Sequence, residues 1–159
     1  MVPPERLDQV VKYYTKAYEI GCMIYSRPYP GVCDCLERLS RNGIQIGVIT
    51  NKRDINAKRM IAGYFPNIPM KFVWGRSEKR LMKPNPESGY EACQFLQLSH
   101  REILFVGDGP ETDIAYAQNV GFGSAGVSWG YRSRKEMEEA HPDYIADSFQ
   151  ELSTWILSS

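Results

Sequence analysis

Residues 44–49 have the sequence Ile44-Gln45-Ile46-Gly47-Val48-Ile49, a largely β-branched run with one strongly polar side chain. A short run of this kind predicts a strand that is buried on both faces, as strands of parallel sheets are. Asn42-Gly43 ends an amphipathic helix just before the run, and Thr50-Asn51-Lys52 leads into another helix just after it. Helix, strand and helix therefore follow one another with few connecting residues.

The same alternation continues along the chain. Strands are predicted at 44–49, 71–74, 103–106 and 124–128, and a short apolar piece lies at 144–146 between the last two helices. Helices are predicted at 4–19, around Val32, Leu36 and Leu39, at 54–65, 86–98, 112–119 and 133–140, and in a last segment that ends with Leu152, Trp155, Ile156 and Leu157. Apolar strands separated by amphipathic helices indicate parallel βαβ units with helices on both sheet faces. We therefore expect a three-layer, doubly wound α/β fold with a mostly parallel, Rossmann-like sheet.

Composition limits the classes of function. A chain of 159 residues suffices for one domain, and its nineteen Lys and Arg balance nineteen Asp and Glu. Zero formal charge disfavours nucleic acid and anionic membranes as partners, and no apolar run is long enough to span a bilayer. The sequence begins without a secretion signal, and four cysteines in a chain of this size are expected as free thiols. These features favour a cytoplasmic protein.

Polar residues follow the predicted strands, where open α/β sheets bind their ligands. Thr50 and Asn51 follow the strand 44–49, at the start of a helix whose free N–H groups favour an anion. Asp108 and Asp113 follow the strand 103–106 and flank a Gly109-Pro110 turn. Carboxylate oxygens are the ligands that Mg²⁺ prefers, so the sequence predicts a metal-binding pair there.

Lys83 is the remaining candidate. It lies directly before a predicted helix with Asn85 as N-cap and Pro86 as first helical residue. Taken singly, Lys83 could be a solvated lysine, Thr50 a capping residue and Asp113 a helix-start charge. Together, a hydroxyl, a lysine and a carboxylate pair at strand ends predict a site for a phosphate group.

The order and spacing of these segments resemble the haloacid dehalogenase superfamily of phosphohydrolases, and most closely its phosphoglycolate phosphatase-like branch. Four segments carry the resemblance, namely Ser26 to Val32, Val48 to Asn51, Lys83 to Pro86 and Val106 to Asp113. The resemblance implies Mg²⁺-dependent hydrolysis of a small phosphorylated metabolite such as phosphoglycolate.

The resemblance also implies a role for each candidate. Thr50 would hydrogen-bond the transferred phosphoryl group with Asn51 beside it, and Lys83 would neutralise charge on the nucleophile and the phosphate. Asp108 would ligate Mg²⁺, and Asp113 would support the metal directly or through water.

The chain departs from the family pattern at its start. Family members carry an Asp-x-Asp-x-Thr strand with the nucleophile and the general acid–base, and no two aspartates of this chain are two positions apart. Family members also carry a helical cap, and the N-terminal helix resembles its last helix. We therefore expect a single core domain over 1–159, in which residues 1–25 are a remnant of that cap. We also expect this truncated chain to be inactive alone. The family's missing strand lies between those ending at Thr50 and Gly107, so these two would either pair directly or leave a slot.

Other functions remain open at this stage. A noncatalytic phosphate-binding or interaction module derived from the same fold is the alternative to a hydrolase. A nicotinamide site is disfavoured, because the glycine pattern Gly121 to Gly126 closes a helix and opens a strand rather than the reverse. The N-terminal helix carries an apolar stripe that we expect either to drive self-association or to pack on the sheet: Leu7, Val10, Val11, Tyr14 and Tyr18.

Overall fold

Helices and parallel strands alternate through the computed structural model, which describes residues 4–159. The described helices are α1 (Pro4–Gly21), α2 (Val32–Arg41), α3 (Asp54–Tyr64), α4 (Glu87–Leu96), α5 (Ala115–Val120), α6 (Arg134–Glu139) and α7 (Phe149–Ser158). The described strands are β1 (Ile46–Arg53), β2 (Met70–Arg76), β3 (Leu104–Gly107), β4 (Gly123–Val127) and β5 (Tyr144–Ala146). The predicted order of elements is therefore confirmed.

The strands form a parallel sheet in two parts. β1 pairs with β2, and β4 lies between β3 and β5. No ladder joins β1 to β3 within the described residues, so each of these two strands has an open edge. The sequence left open whether these two strands pair directly or leave a slot between them. In the structure they do not pair.

Helices cover both faces of the β3–β4–β5 part. On one face, Ala125 and Val127 of β4 pack with Leu152 of α7. On the other, Gly126 lies so close to Met137 of α6 that any side chain at this position would overlap it. Burial of an apolar side chain such as Leu152 contributes about 1.5–3 kcal/mol, which holds the helix against the sheet. The doubly wound α/β class is confirmed.

A shared core ties the two parts of the sheet together. Ile49 of β1 and Phe105 of β3 both pack against one buried cluster, formed by Tyr116, Ala117, Val120 and Phe122. The hydroxyl of Tyr116 lies 2.9 Å from Ser88 Oγ of α4, which satisfies both buried polar groups. Burial raises the pKa of Tyr116 to about 12.

Some predicted boundaries were wrong by a few residues. The first strand extends to Arg53 rather than ending at Ile49, and the helix predicted to start at Thr112 begins with a π-helical turn, Pro110–Ile114. The turn widens because the carbonyl of Gly109 accepts hydrogen bonds from two successive N–H groups. α4 begins at Glu87 rather than Pro86, although Asn85 Oδ1 still accepts from Glu87 N at 3.0 Å, as a capping side chain does.

The N-terminal helix contacts the core mainly through its C-terminal end. Tyr18 contacts Lys52 at the end of β1, and the Tyr64 hydroxyl of α3 donates to the Ser26 carbonyl at 2.8 Å, just beyond α1. The apolar side chains nearer its start are exposed: Leu7, Val10, Val11 and Tyr14. Assignment of residues 1–25 to a cap remnant stays a prediction, and residues 1–3 lie outside the described part. Among the described residues, no helix is both long and apolar enough to cross a bilayer.

Candidate active site

The candidate residues meet at the carboxyl ends of β1 and β3. Thr50 and Asn51 lie near the end of β1, and Asp108 follows β3 directly. Lys83 lies in the connection between β2 and α4. It bonds Asn51 of β1 on one side and Asp113, in the turn after β3, on the other. Three residues that are 30 or more positions apart in sequence thus share one hydrogen-bonded network: Asn51, Lys83 and Asp113.

A bulge in β1 brings Thr50 and its neighbours out of the ladder. Ile49 pairs with Trp74 and Arg53 pairs with Arg76, so three residues of β1 lie opposite the single residue Gly75. A Cβ atom at Gly75 would lie 2.5 Å from the carbonyl oxygen of Lys52, so only glycine allows this close approach.

The Thr50 side chain is fixed by this bulge. Its Oγ1 accepts a hydrogen bond from the backbone N–H of Lys52 at 3.2 Å. A threonine hydroxyl that accepts in this way keeps its own proton to donate to another group. Thr50 can therefore present a donor to an anion at the strand end.

Asn51 holds the backbone of Lys83. Its Oδ1 accepts from Lys83 N at 2.7 Å, and its Nδ2 donates to the Lys83 carbonyl at 3.1 Å. The amide is thus engaged on both sides by one residue, 32 positions away. In this structure Asn51 positions the lysine, and its predicted direct contact with phosphate stays a prediction.

Lys83 and Asp113 form a buried ion pair. Lys83 Nζ donates to Asp113 Oδ1 at 2.6 Å, and the two side chains are only 9% and 10% exposed. The ammonium also lies 4.8 Å from the centre of the Phe105 ring, a cation–π distance. A buried ammonium with a carboxylate on one side retains donors that can face an incoming anion.

The second oxygen of Asp113 is engaged as well. Asp113 Oδ2 accepts from the backbone N–H groups of Asp108 and Gly109, both at 3.0 Å. A side chain at Gly107 would overlap this carboxylate, which explains the glycine at the end of β3. Asp113 therefore fixes both the loop after β3 and the ammonium of Lys83.

Asp108 is held by a turn that the sequence did not single out. Its Oδ2 accepts from Tyr131 N at 3.1 Å, and a side chain at Gly130 would overlap the carboxylate. The glycine and tyrosine follow Trp129 after β4, so the signal available in the sequence was a small residue just beyond a strand end. The other oxygen, Asp108 Oδ1, takes no part in this hydrogen bond.

The described residues provide too few oxygen ligands for a complete magnesium site. Mg²⁺ requires near-octahedral coordination by oxygen ligands. Of the two predicted ligands, Asp113 is bonded to Lys83 and to two N–H groups, which leaves the carboxylate of Asp108. No group of three or more His, Cys, Asp or Glu in the described part of the chain could hold a metal ion.

The start of α3 carries its own charge. Asp54 is its first residue and accepts from Gly75 N at 3.0 Å and from Lys58 Nζ at 2.7 Å. These hydrogen bonds, that from Lys58 foremost, hold the pKa of the Asp54 carboxyl below its usual value. The negative charge at this helix start is therefore compensated locally.

The parallel strands and the helices on both sheet faces define an open α/β protein, a class whose ligands generally bind at the carboxyl ends of the strands. Within this class, the chain belongs to the haloacid dehalogenase-like hydrolase family, whose sequence profile matches residues 2–127.

Individual relatives agree with this assignment. The chain is 30% identical over 148 residues to a phosphoglycolate phosphatase of Haemophilus influenzae, which covers 93% of this chain and 66% of that protein. It is 34% identical over 145 residues to the phosphoglycolate phosphatase of Yersinia pseudotuberculosis, with 88% of this chain and 58% of that protein covered. The chain thus spans roughly three-fifths to two-thirds of the length of these relatives.

Solved structures show the same fold. A crystal structure from Haemophilus somnus, described as a predicted phosphoglycolate phosphatase, has a TM-score of 0.89 at 25% identity and covers 98% of this chain and 68% of that chain. A haloacid dehalogenase-like hydrolase from Streptococcus pneumoniae has a TM-score of 0.87 at 21% identity, with 98% and 72% covered.

Proposed function

We propose that this chain forms the core of a phosphatase that hydrolyses a small phosphate monoester, such as phosphoglycolate, with Mg²⁺ as cofactor. The observation that carries the proposal is the buried pair of Lys83 and Asp113, whose lysine is bonded to Asn51, the neighbour of Thr50 in β1. The phosphoglycolate phosphatases among its relatives support the substrate class.

In the proposed site, Thr50 and Lys83 bind the phosphoryl group. Thr50 donates its hydroxyl proton to a phosphate oxygen, and Lys83 shares its ammonium between that phosphate and Asp113. Asp113 and Asn51 act on the phosphate through Lys83, because one fixes its Nζ and the other its backbone. Preorganised donors of this kind are the main protein contribution to phosphoryl transfer.

In this proposal the nucleophile belongs to a segment other than residues 1–159. We propose that an extended strand carrying Asp-x-Asp-x-Thr lies between the open edges of β1 and β3. Such a strand would pair with both edges, which satisfies their backbone groups and places its carboxylates beside Thr50 and Asp108. The 159-residue chain alone would then bind phosphate without hydrolysing its esters.

Binding of Mg²⁺ in this proposal also depends on the added strand. Asp108 offers one carboxylate oxygen, and bound Mg²⁺ would neutralise charge on the phosphoryl group. We propose that it binds tightly only when the strand carboxylates join Asp108.

The proposed substrate is a small phosphorylated metabolite, with neither nucleic acid nor membrane as partner. All four cysteines lie in the described part of the chain and are free thiols. Reduced thiols are what the cytoplasm maintains, so a cytoplasmic location is part of the proposal. The absence of an Asp-x-Asp pair from these residues favours one second candidate, a noncatalytic phosphate-binding module.

Two measurements test these proposals. Calorimetry with inorganic phosphate should detect weak binding to the chain, and Lys83→Ala should abolish it. Lys71→Ala is the matched control, because Lys71 lies near the amino end of β2, away from the site. Unchanged phosphate binding by Lys83→Ala would show that the site is misassigned.

The second measurement separates enzyme from binding module. A peptide or N-terminal extension carrying the Asp-x-Asp-x-Thr strand should give Mg²⁺-dependent hydrolysis of phosphoglycolate, and Asp108→Asn should remove it. Phosphate binding with no hydrolysis by the extended protein would favour the noncatalytic module.

A further inference from the structure

Lys52 and Tyr18 form a pair that the phosphate site does not use. Lys52 lies near the end of β1, and its Nζ donates a hydrogen bond to the Tyr18 hydroxyl of α1. The same ammonium lies 4.9 Å from the centre of the Tyr18 ring. Both residues are half-buried, so neither is a fully solvated side chain.

This pair adjoins the proposed phosphate site. Lys52 belongs to the three-residue bulge opposite Gly75, and its backbone N–H donates to Thr50 Oγ1 at 3.2 Å. The hydroxyl that would bind phosphate is thus bonded to the residue that carries the second cation.

The described side chains do not neutralise the charge of Lys52. Among the described residues its ammonium makes no ion pair, and it donates its hydrogen bond to the phenol oxygen of Tyr18. The nearest carboxylate in sequence, that of Asp54, is bonded to Lys58 and to Gly75 N. A half-buried ammonium without a counter-ion attracts an anion.

We propose that Lys52 and Tyr18 form a second anion subsite, which binds the carboxylate of a small phosphorylated acid while its phosphate lies at Thr50 and Lys83. The Lys52 ammonium retains N–H donors beyond the one given to Tyr18. The Tyr18 hydroxyl accepts from Lys52 and donates its own proton to the carboxylate. This inference rests on the proposed phosphate site, and it makes Lys52 and Tyr18 the residues that select acids over neutral phosphate esters.

The test compares two ligands with the same two-carbon skeleton. Phosphoglycolate carries a carboxylate where ethyl phosphate carries a methyl group, and both are titrated into the 159-residue chain by calorimetry without Mg²⁺. The chain should bind phosphoglycolate about tenfold more tightly, as one charge-assisted hydrogen-bonded contact provides. Lys52→Met and the charge-neutral Tyr18→Phe should bring this ratio towards one, while affinity for ethyl phosphate stays within about twofold.

The control and the contrary outcomes separate this inference from the phosphate site. Lys71→Met removes the same charge near the amino end of the sheet and should leave the ratio unchanged. Equal binding of both ligands by the unmodified chain, or an equal loss for both in Lys52→Met, would overturn the carboxylate subsite alone. An equal loss of affinity for both ligands, together with a lower melting temperature, would show that the pair only stabilises the fold. A chain that binds neither ligand nor phosphate would instead overturn the proposed function.

Discussion

At the scale of single residues, Asp113 is the most heavily engaged side chain of the site. One of its oxygens accepts from Lys83 Nζ and the other from two backbone N–H groups. Removal of one partner from a buried ion pair typically costs about 3–5 kcal/mol, because the other charge is left without compensation. The stability of the loop after β3 and the charge of the site thus depend on the same carboxylate.

We therefore expect Asp113→Ala to lower the free energy of unfolding by about 3 kcal/mol, as measured by urea denaturation. Asp113→Asn should cost less, because an amide oxygen can still accept from the two backbone N–H groups. Glu111→Ala is the control, since this neighbouring carboxylate is 71% exposed and its loss should change stability by less than about 0.5 kcal/mol. Equal stability of Asp113→Ala and Glu111→Ala would show that the contacts of Asp113 do not stabilise the fold.

The sequence identified the candidate residues but not their contacts. Thr50, Lys83, Asp108 and Asp113 could be selected because each follows a strand or precedes a helix, and such positions gather at one edge of a parallel sheet. Which oxygen meets which donor depends on side-chain conformations and on contacts between residues 30 or more positions apart. The hold of Asn51 on Lys83 could therefore not be predicted from local spacing.

At the scale of elements, the periodic patterns predicted the helices and strands well, and the departures have local causes. The bulge in β1 depends on Gly75 of the neighbouring strand, which the pattern of residues 44–49 does not contain. The π-helical turn before α5 depends on the doubly accepting carbonyl of Gly109. Both departures are at the site, where tertiary contacts override local preference.

A buried hydrogen bond joins two of these elements. The Tyr116 hydroxyl of α5 bonds Ser88 of α4, and burial raises its pKa to about 12. Below pH 10 both the folded and the unfolded chain carry the neutral phenol, so its contribution to stability is constant. Above pH 10 the unfolded chain ionises first and binds fewer protons, so the free energy of unfolding falls as pH rises towards 12.

We expect Tyr116→Phe to lose about 1 kcal/mol of stability at pH 7, because the Ser88 hydroxyl loses its partner. Between pH 10 and 12 the variant should lose stability less steeply than the unmodified chain, by up to about 1.4 kcal/mol per pH unit. Urea denaturation at several pH values measures both effects. Parallel stability curves across this range would show that Tyr116 ionises as readily in the folded chain as in the unfolded one.

At the scale of the whole molecule, the described fold has two kinds of unsatisfied surface. Among the described strands, β1 and β3 each have one edge without a ladder. Open strand edges readily pair with another extended segment. The sequence could indicate this arrangement only through its resemblance to a family with a further central strand, because hydrophobic periodicity does not report which strands are neighbours.

The second unsatisfied surface is the apolar stripe of α1, which the sequence predicted either to drive self-association or to pack on the sheet. Its side chains near the start of the helix are exposed, and self-association is still a prediction. Leu7, Val10 and Val11 are each 45–54% exposed although they share one side of the helix. Light scattering should therefore give a mass above the 18.2 kDa of one chain, increasing with concentration. Leu7→Gln with Val11→Gln should return the mass to that of a monomer, because both remove apolar surface without adding charge.

Lys12→Gln is the control. Lys12 lies on the opposite side of the helix, so this substitution should leave association unchanged. A monomer at all concentrations would show that this stripe does not bind a second copy of the chain.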